Sequence, residues 1–190
     1  MPRILKPVAL AVAAALALAG CSSNAGSDSP SASAAPTPAA APATGITVEG
    51  TGYEFTAPEG WEVPADFSLP GADVIVADLT DSDGFADNVN VFLSPAGELA
   101  PDQVESMGVG ELEGAGATEV TVRDRIVVAE SESAHISAGL SSNGADYLIE
   151  QYYVTQDGQT YVVTFSFSPT VSQPDRDELS ESVLATWNWS

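Results

Sequence analysis

The stretch DYLIEQYYVTQDGQTYVVTFSFSP is the feature that most constrains the fold of this chain. Asp157-Gly158 separates two runs rich in β-branched and aromatic residues, and Asp-Gly is a preferred pair for a two-residue type I′ hairpin turn. In the second run, apolar side chains recur at every other position and so share one strand face; they are Tyr161, Val163, Phe165 and Phe167. The pattern predicts a long antiparallel hairpin with one face buried in a core.

Several shorter strands are expected before this hairpin. GYEFTAPEGWEV predicts a strand, a turn at Pro58 and Gly60, and a second short strand. ADVIVADL, TEVTVRDRIVVAES and AHISAGLSS each favour a strand. DNVNVFLS alternates between two faces. Val89, Val91 and Leu93 lie on one of them, and Asn88, Asn90 and Phe92 lie on the other.

Two helices are predicted. The first lies within Pro101 to Gly114, and its apolar residues are Val104, Met107 and Leu112, with Gly108 and Gly110 as weak helix formers. The second is PDRDELSESVLATW. There Asp175 is the expected N-cap, paired with Glu178 in a capping-box pattern, and Leu179, Val183 and Trp187 recur at i, i+4 and i+8. Strands, a helix, further strands and a final helix together indicate an α+β sandwich.

The first residues indicate export. Arg3 and Lys6 precede a twelve-residue apolar run that is too short to span a bilayer, which is typical of a signal peptide covering residues 1–20. Its end, Leu18-Ala19-Gly20-Cys21, resembles a bacterial lipobox. That resemblance implies a diacylglyceryl group on the Cys21 sulfur and a lipid anchor on the extracytoplasmic face of the cell membrane.

A tether is expected after Cys21. Residues 22–44 are almost entirely Ser, Ala, Pro, Gly and Thr, a composition that predicts a disordered linker because it has no apolar surface to bury. Residues 45–190 then form a single domain. Since Cys21 is the only cysteine, that domain has no disulfide and must be stabilised by packing.

The charge balance excludes several partners. Without the leader, 27 acidic residues stand against three arginines, a net charge of −24 with no lysine. Nucleic acid binding needs lysine and arginine to neutralise phosphates, and the same argument excludes attraction to anionic lipid headgroups. Cation binding and steering toward a basic partner stay open beside simple solubility.

The order of motifs supports a resemblance. YEFTAPEGW near the start, NVNVFLS before the first helix, the late hairpin and a final helix that closes on WNW cover Tyr53 to Trp189. This succession resembles the LpqN/LpqT family of bacterial lipoproteins within the PsbP-like sandwich superfamily. The resemblance implies a central antiparallel sheet of about six strands with helices on both faces. It also implies a non-enzymatic envelope role, and it brings no catalytic residues with it.

No catalytic or cofactor-binding constellation emerges from the residues. The single histidine, His135, lies in an alternating stretch, and one histidine without cysteines cannot build a zinc site. There is no G-x-S-x-G motif, and lysine-dependent chemistry is impossible after the leader. We therefore expect no enzyme activity and no cofactor. A paired-carboxylate glycan hydrolase stays open as an alternative.

Two features leave alternatives open. DLTDSDGFADN fails the spacing of a calcium-binding EF-hand loop, so we expect a polar turn, with a loose cation site at Asp81, Asp83 and Asp87 as the alternative. The tryptophans Trp61, Trp187 and Trp189 are expected in the core, or else around a pocket for an apolar ligand.

These observations predict a lipid-anchored, monomeric envelope protein. Its expected role is that of a non-enzymatic binding or accessory module for an envelope protein or an apolar ligand. A hydrolase of envelope glycans and a divalent-cation-binding module are the alternatives.

Overall fold

Strands dominate the computed structural model, which describes residues 34–65, 69–142 and 144–190. The strands are β1 Thr47–Gly50, β2 Tyr53–Thr56, β3 Val74–Ala77, β4 Asn88–Leu93, β5 Thr118–Val128, β6 Ser131–Ser142, β7 Ala145–Gln156, β8 Gln159–Phe167 and β9 Asn188–Trp189. The helices are α1 Pro101–Gly114, between β4 and β5, and α2 Gln173–Leu184, between β8 and β9. The predicted signal peptide and Cys21 lie outside the described residues.

Two antiparallel sheets are built from these strands. A six-stranded sheet has the order β3-β4-β8-β7-β6-β5, and a three-stranded sheet has the order β1-β2-β9. The α+β class and the six-stranded antiparallel sheet with a helix on each face are confirmed. The three-stranded sheet was not predicted, because β9 is two residues long and joins β2 from the other end of the chain.

The late hairpin forms as its sequence predicts. β7 and β8 pair from Leu148 with Phe167 down to Gln156 with Gln159. Asp157 and Gly158 have φ angles of 50° and 81°, the positive values that a type I′ turn requires. The four alternating side chains from Tyr161 to Phe167 are buried, as expected.

The six-stranded sheet has two unlike faces. On one, which we call the sealed face, Val163, Phe165 and Tyr152 are buried beneath the three-stranded sheet and α2. On the other, which we call the half-covered face, α1 packs on β6 and β5 through a small cluster around Val104 and Ile136. Neighbouring residues of each strand point to opposite faces, so Val162 and Thr164 of β8 belong to the half-covered face.

The three tryptophans stabilise the sealed face. Trp187 stacks on Tyr53 with ring centroids 4.4 Å apart and contacts Trp189 edge-on at 5.7 Å. Trp61 and Trp187 are almost completely buried, and Trp189 donates its indole N–H to the carbonyl of Ala129. These contacts tie β2 and β9 to the main core. The expectation of a core role therefore agrees with where the three rings lie.

The first helix differs from expectation on its apolar face. α1 has the predicted bounds, but Met107 is exposed and the residues buried against the sheet are Val104 and Gly108. A Cβ atom on Gly108 would lie only 2.9 Å from Cδ1 of Ile136. The glycine thus lets the helix approach β6 closely, which the helix-propensity argument could not show.

The second helix starts earlier and ends earlier than predicted. Ser172, not Asp175, is its N-cap, and the Ser172 hydroxyl accepts a hydrogen bond from the Asp175 backbone N–H. Asp175 lies in the first turn, where a carboxylate still interacts favourably with the helix dipole. The helix ends at Leu184, so Trp187 belongs to the segment that leads into β9 and not to the predicted i, i+4, i+8 stripe.

Part of the predicted tether lies against the domain. Residues 34–44, which we call the strap, belong to the same compact unit as the rest of the described chain. The Pro36 carbonyl accepts a hydrogen bond from Val127 on the edge strand β5, and the Ala43 N–H donates to the Ser182 carbonyl in the last turn of α2. The Ala39 N–H also donates to the Glu181 carboxylate at 2.7 Å. Composition alone does not reveal these hydrogen bonds, and the domain boundary at residue 45 stays a prediction.

Candidate functional site

A concave surface lies beside α1 on the half-covered face. Because α1 packs on β6 and β5, it leaves the neighbouring strands β7, β8 and β4 uncovered on that side. The resulting groove has a volume of about 510 Å³. Its size is that of a small-molecule site, since such pockets usually occupy roughly 300–1,000 Å³.

The groove walls are mostly apolar. Its floor is formed by buried and half-buried side chains of four strands, and its side by α1 and the chain that leads into it. The apolar and aromatic lining residues are Phe92, Leu93, Leu99, Leu112, Leu140, Tyr147, Ile149, Tyr153 and Val162. A ligand in the groove would therefore contact hydrocarbon on most of the lining side chains.

An uncharged polar row crosses this floor. Strand register places Asn90 opposite Thr164, and Thr164 opposite Gln151, so the three side chains lie side by side on β4, β8 and β7. Gln151 donates its Nε2–H to the Thr164 hydroxyl at 2.9 Å, and Tyr153 donates its hydroxyl to Gln151 Oε1 at 2.6 Å. The row is thus an ordered set of hydrogen-bonding groups on the groove floor.

The electrostatics of the groove are neutral to negative. Glu111, on the exposed side of α1, is the charged residue among the described residues that line it. Burial, followed by the negative charge of Glu111, raises the pKa of Tyr153 to about 12. Tyr153 therefore keeps its proton at physiological pH and remains a hydrogen-bond donor to Gln151.

The three arginines that follow the leader all bind helices to the sheet. Arg125 of β5 pairs with Asp102 and Glu105 of α1, with Nη2 2.8 Å from Glu105 Oε2. Arg123 of β5 pairs with Asp177 of α2 at 3.0 Å. Arg176 of α2 pairs with Glu150 of β7 at 2.9 Å. The bases of this acidic domain are therefore engaged in fixing its helices and not in binding an anion.

A buried network joins α2 to the sealed face. Glu150 is fully buried, and its carboxylate accepts hydrogen bonds from His135, Arg176 and Gln173 at 2.8–2.9 Å. Burial opposes ionisation of Glu150, but these three donors outweigh it and hold its pKa below the usual value. His135 lies on β6, as predicted, and stacks on Tyr152 with centroids 4.0 Å apart. No sequence pattern indicates that Glu150 is buried or paired.

The same network brings possible metal ligands together. Side-chain atoms of His135, Glu150 and Asp177 lie within 4.8 Å of one another. Both oxygens of Glu150 already accept hydrogen bonds. The Arg176 guanidinium pairs with Glu150, and the Arg123 guanidinium pairs with Asp177, so both carboxylates of the cluster already face a positive charge. The geometry is that of an ion-pair network, because nearby cations oppose the binding of a metal ion.

The acidic loop is organised by its own hydrogen bonds. The Asp81 carboxylate accepts from the Asp83 N–H, and that of Asp83 accepts from the Phe85 N–H and the Thr170 hydroxyl. Asp87 accepts from the Ser168 N–H at 2.8 Å, which ties the loop to the end of β8. The arrangement matches the predicted polar turn, in which aspartates bond to backbone two residues ahead.

This loop also borders the groove. The ring of Phe85 stacks on Tyr147 with centroids 5.3 Å apart, and Tyr147 lines the groove. Burial raises the pKa of Asp87 to about 6, and the charges of Asp81, Asp83 and Asp78 add to the effect. The loop therefore makes this end of the groove unfavourable for an anionic group.

The groove itself was not found from the sequence, although part of it was visible there. The alternation in β4 correctly separated Asn88, Asn90 and Phe92 from the buried valines. The same reasoning applied to β8 would have placed Val162, Thr164 and Ser166 together on the opposite face from its aromatic residues. The gap beside α1 has no sequence signal, because it depends on where the helix docks.

Comparisons with known proteins show the fold. No protein-family model matches the chain, and no curated protein matches its sequence. The structure is similar to that of LpqN, described as involved in cell envelope biogenesis of Mycobacterium tuberculosis, with a TM-score of 0.52 and 13% identity over 75% of this chain and 88% of that chain.

Two further solved structures are similar at a TM-score of 0.46. Cyanobacterial PsbP (CyanoP) from Synechocystis sp. PCC 6803 is 19% identical over 73% of this chain and 87% of that chain. A protein from Bacteroides thetaiotaomicron is 11% identical over 73% of this chain. This chain spans 45% of the length of that protein. The likeness to LpqN shows a similar fold, and membership of the PsbP-like superfamily and of the LpqN/LpqT family stays a prediction.

Proposed function

We propose that this protein is a non-enzymatic accessory protein of the cell envelope that binds the apolar chain of a neutral amphiphile. The observation that carries the proposal is the groove beside α1, with its apolar walls and its uncharged polar row. Buried apolar area supplies the binding free energy in such sites, and a few placed polar groups orient the ligand. LpqN, whose fold is similar, is described as involved in cell envelope biogenesis, which supports an envelope location for this protein.

The charges of the site favour a neutral ligand. An anionic headgroup would meet Glu111 on one side and the acidic loop at the other end, and the three arginines are paired with carboxylates elsewhere. Like charges disfavour binding, and the net charge of the domain adds a long-range repulsion. We therefore expect neutral amphiphiles to bind more tightly than anionic ones of equal chain length.

A lipid anchor at Cys21 would place this groove near the membrane. Neither helix of the described chain has the length and hydrophobicity of a membrane-spanning segment. The segment between Cys21 and the strap, residues 22–33, would reach about 37 Å at ~3.1 Å per residue. The monomeric domain would then lie closer to the bilayer than a flexible segment ending at Thr44 would allow.

The ligand proposal is tested by displacement of a neutral fluorescent dye such as Nile red from the soluble domain. We expect 1-monolauroylglycerol to displace the dye at lower concentration than laurate. Val162→Phe, which fills the groove floor, should weaken monolauroylglycerol binding at least tenfold. Val122→Phe, at an exposed position on β5 outside the groove, should not. If the parent protein does not bind, or if Val162→Phe binds as the parent does, the proposal is wrong.

The anchor proposal is tested by detergent partitioning of the full chain expressed in a bacterium. The parent should enter the detergent phase, and Cys21→Ala should be unprocessed or released into the aqueous phase, because no other segment of the chain predicts an anchor. Quantitative membrane retention of a cleaved Cys21→Ala protein would contradict it.

A further inference from the structure

Polarity rises along the groove floor from one end of β4 and β8 to the other. Three cross-strand pairs follow one another along these strands: Phe92 with Val162, Asn90 with Thr164, and Asn88 with Ser166. Residues two apart on a strand point to the same side, so all three pairs belong to the half-covered face, about 7 Å from one pair to the next. Along these two strands the floor therefore begins with hydrocarbon and continues with uncharged polar groups.

The apolar end of this floor is closed by the chain that leads into α1. The Leu99 N–H donates to the Thr160 hydroxyl at 2.8 Å, and Thr160 precedes Val162 on the same face of β8. Tyr153 lies opposite Val162 on β7 and adds its ring to this end. A hydrocarbon chain here would contact apolar side chains from the floor and from the side of the groove.

The polar end offers hydrogen bonds to a ligand. The Thr164 hydroxyl accepts from Gln151, so its own proton is left to donate. The Asn90 amide donates to Asn88 Oδ1 in a long hydrogen bond of 3.5 Å, and its carbonyl oxygen is left to accept. On β7 the residue opposite Ser166 is Ile149, so this end is polar on β4 and β8 and apolar beyond them.

The polar end also lies next to the acidic loop. Asn88 directly follows Asp87, whose carboxylate accepts from the Ser168 N–H at 2.8 Å, two residues beyond Ser166 on the chain. A negatively charged head at this end would meet the carboxylates of the loop. A neutral head that carries hydroxyl groups can accept from Thr164 and donate to Asn90 without that repulsion.

We infer that the groove binds its amphiphile in one orientation, with a neutral hydroxyl-bearing head on Asn90 and Thr164 and the apolar tail directed toward Val162 and Leu99. This inference rests on the proposed function and adds the orientation and head-group chemistry of the ligand. The reverse orientation would cover the polar pairs with hydrocarbon and place the head on Phe92 and Val162. Polar groups of both partners would then be buried without hydrogen bonds, which is unfavourable.

Paramagnetic broadening of protein NMR signals measures the orientation directly. The probe is a monoacylglycerol that carries a nitroxide near the methyl end of its acyl chain, added to isotope-labelled protein consisting of residues 34–190, which form one compact unit. Val162 and Ser166 are about 13 Å apart along β8, and broadening falls steeply with distance. We expect the tail label to broaden the amide signals of Val162 and Leu99 most strongly. A nitroxide on the glycerol head should instead broaden those of Asn88 and Ser166.

The other patterns contradict the inference. If the tail label acts most strongly at Ser166, or at Ile149 and Leu140 on the neighbouring strands, the orientation is wrong while binding in the groove stands. If neither label broadens residues that line the groove, the proposed function fails and the inference fails with it.

Thr164→Val tests the head contact, because it keeps the shape of the side chain and removes the hydroxyl. It should weaken 1-monolauroylglycerol binding about 3- to 10-fold, the range of one net hydrogen bond, and leave dodecane affinity equal or higher. Thr121→Val is the matched control, since Thr121 is exposed on β5 and is not among the groove residues; it should bind both compounds as the parent does. An unchanged monolauroylglycerol affinity in Thr164→Val, or an equal loss for both compounds, would overturn the inference.

Discussion

The two faces of the six-stranded sheet are built from the same strands but differ in almost every property. On the sealed face, aromatic and β-branched side chains pack beneath a second sheet, and the one fully buried carboxylate among the described residues, Glu150, has three hydrogen-bond donors. On the half-covered face, a single glycine-containing helix covers two strands and leaves a groove over the others. A strand can serve both purposes because adjacent residues point to opposite sides.

This difference separates stability from binding within single strands. In β8 the odd-numbered residues from Tyr161 to Phe167 supply core, and Val162 and Thr164 supply groove. We expect substitutions on the sealed face to lower the free energy of unfolding and those on the half-covered face to change ligand affinity.

The largest effect is expected from the buried ion pair. Glu150→Ala leaves Arg176 and His135 buried without their carboxylate, and breaking a buried pair in this way costs about 3–5 kcal/mol. Glu105→Ala breaks the corresponding contact of α1, but that pair is partly exposed and Arg125 keeps Asp102 and Glu132 as partners, so the loss should be below about 1 kcal/mol. Urea unfolding of both variants measures the difference.

The pH dependence gives an independent readout of the same pair. Because the folded-state pKa of Glu150 is lowered, the stability it supplies is present above its unfolded-state value of about 4.3 and is lost as pH falls through the folded-state pKa. Glu150→Gln should therefore be destabilised at pH 7 and should lose less stability than the parent on acidification below about pH 4. If Glu150→Ala and Glu105→Ala lowered the free energy of unfolding equally, the buried α2 contact would be no more important for stability than the exposed α1 contact, and the prediction would be wrong.

A matched pair of valines on β8 tests the separation directly. Val163→Ala removes fully buried methyl groups and should cost roughly 2–3 kcal/mol, the transfer term of about 0.8 kcal/mol per group plus a cavity term. Val162→Ala, one residue away but half-buried in the groove floor, should cost less than about 1 kcal/mol and should weaken dye binding. In thermal unfolding Val163→Ala should lose more stability than Val162→Ala, and in dye titration Val162→Ala should lose more affinity than Val163→Ala. Identical rankings would show that the two faces are not separable.

The two faces also differ in how far their structure can be predicted from the sequence. The sealed face was predicted well, because the alternation of Val89 and Val91 and that of the β8 aromatics reports burial at short range. The half-covered face was predicted poorly, because the position of α1 depends on Gly108 meeting Ile136, two residues that sequence periodicity does not relate. The Glu150 network joins three elements that are distant along the chain, and so it has no local pattern either.

The strap should contribute a smaller amount of stability. A chain that begins at Gly45 lacks the backbone hydrogen bonds of Pro36 with Val127 and of Ala43 with Ser182, and it exposes the edge of β5. At about 0.5–1.5 kcal/mol for each bond, we expect it to be roughly 1–3 kcal/mol less stable than a chain that begins at Ala34. Glu181→Ala, which removes the acceptor of the Ala39 N–H, should reproduce part of the loss in the longer chain only. Equal stability of the two chains would mean that residues 34–44 act as a free tether.

The smallest effect concerns the acidic loop at the end of the groove, where the electrostatics are the reverse of those at Glu150. Burial and neighbouring carboxylates raise the pKa of Asp87 to about 6, so protonation favours the folded state; this stability is present below about pH 4 and is lost as pH rises through about 6. Asp87→Asn keeps an acceptor for the Ser168 N–H but removes the charge. Allowing for solvent screening of this half-buried group, we expect Asp87→Asn to gain stability on the order of 1 kcal/mol at pH 7.5, which is roughly 2–4 °C in Tm, and to gain none at pH 4.

Asp124→Asn is the control, because it removes the same charge at an exposed position of β5. It should gain less stability, because general repulsion is shared over the whole surface. If calcium instead raised the Tm of the parent more than magnesium did, and Asp87→Asn abolished that rise, the loop would be a cation site and this account of its charges would be wrong.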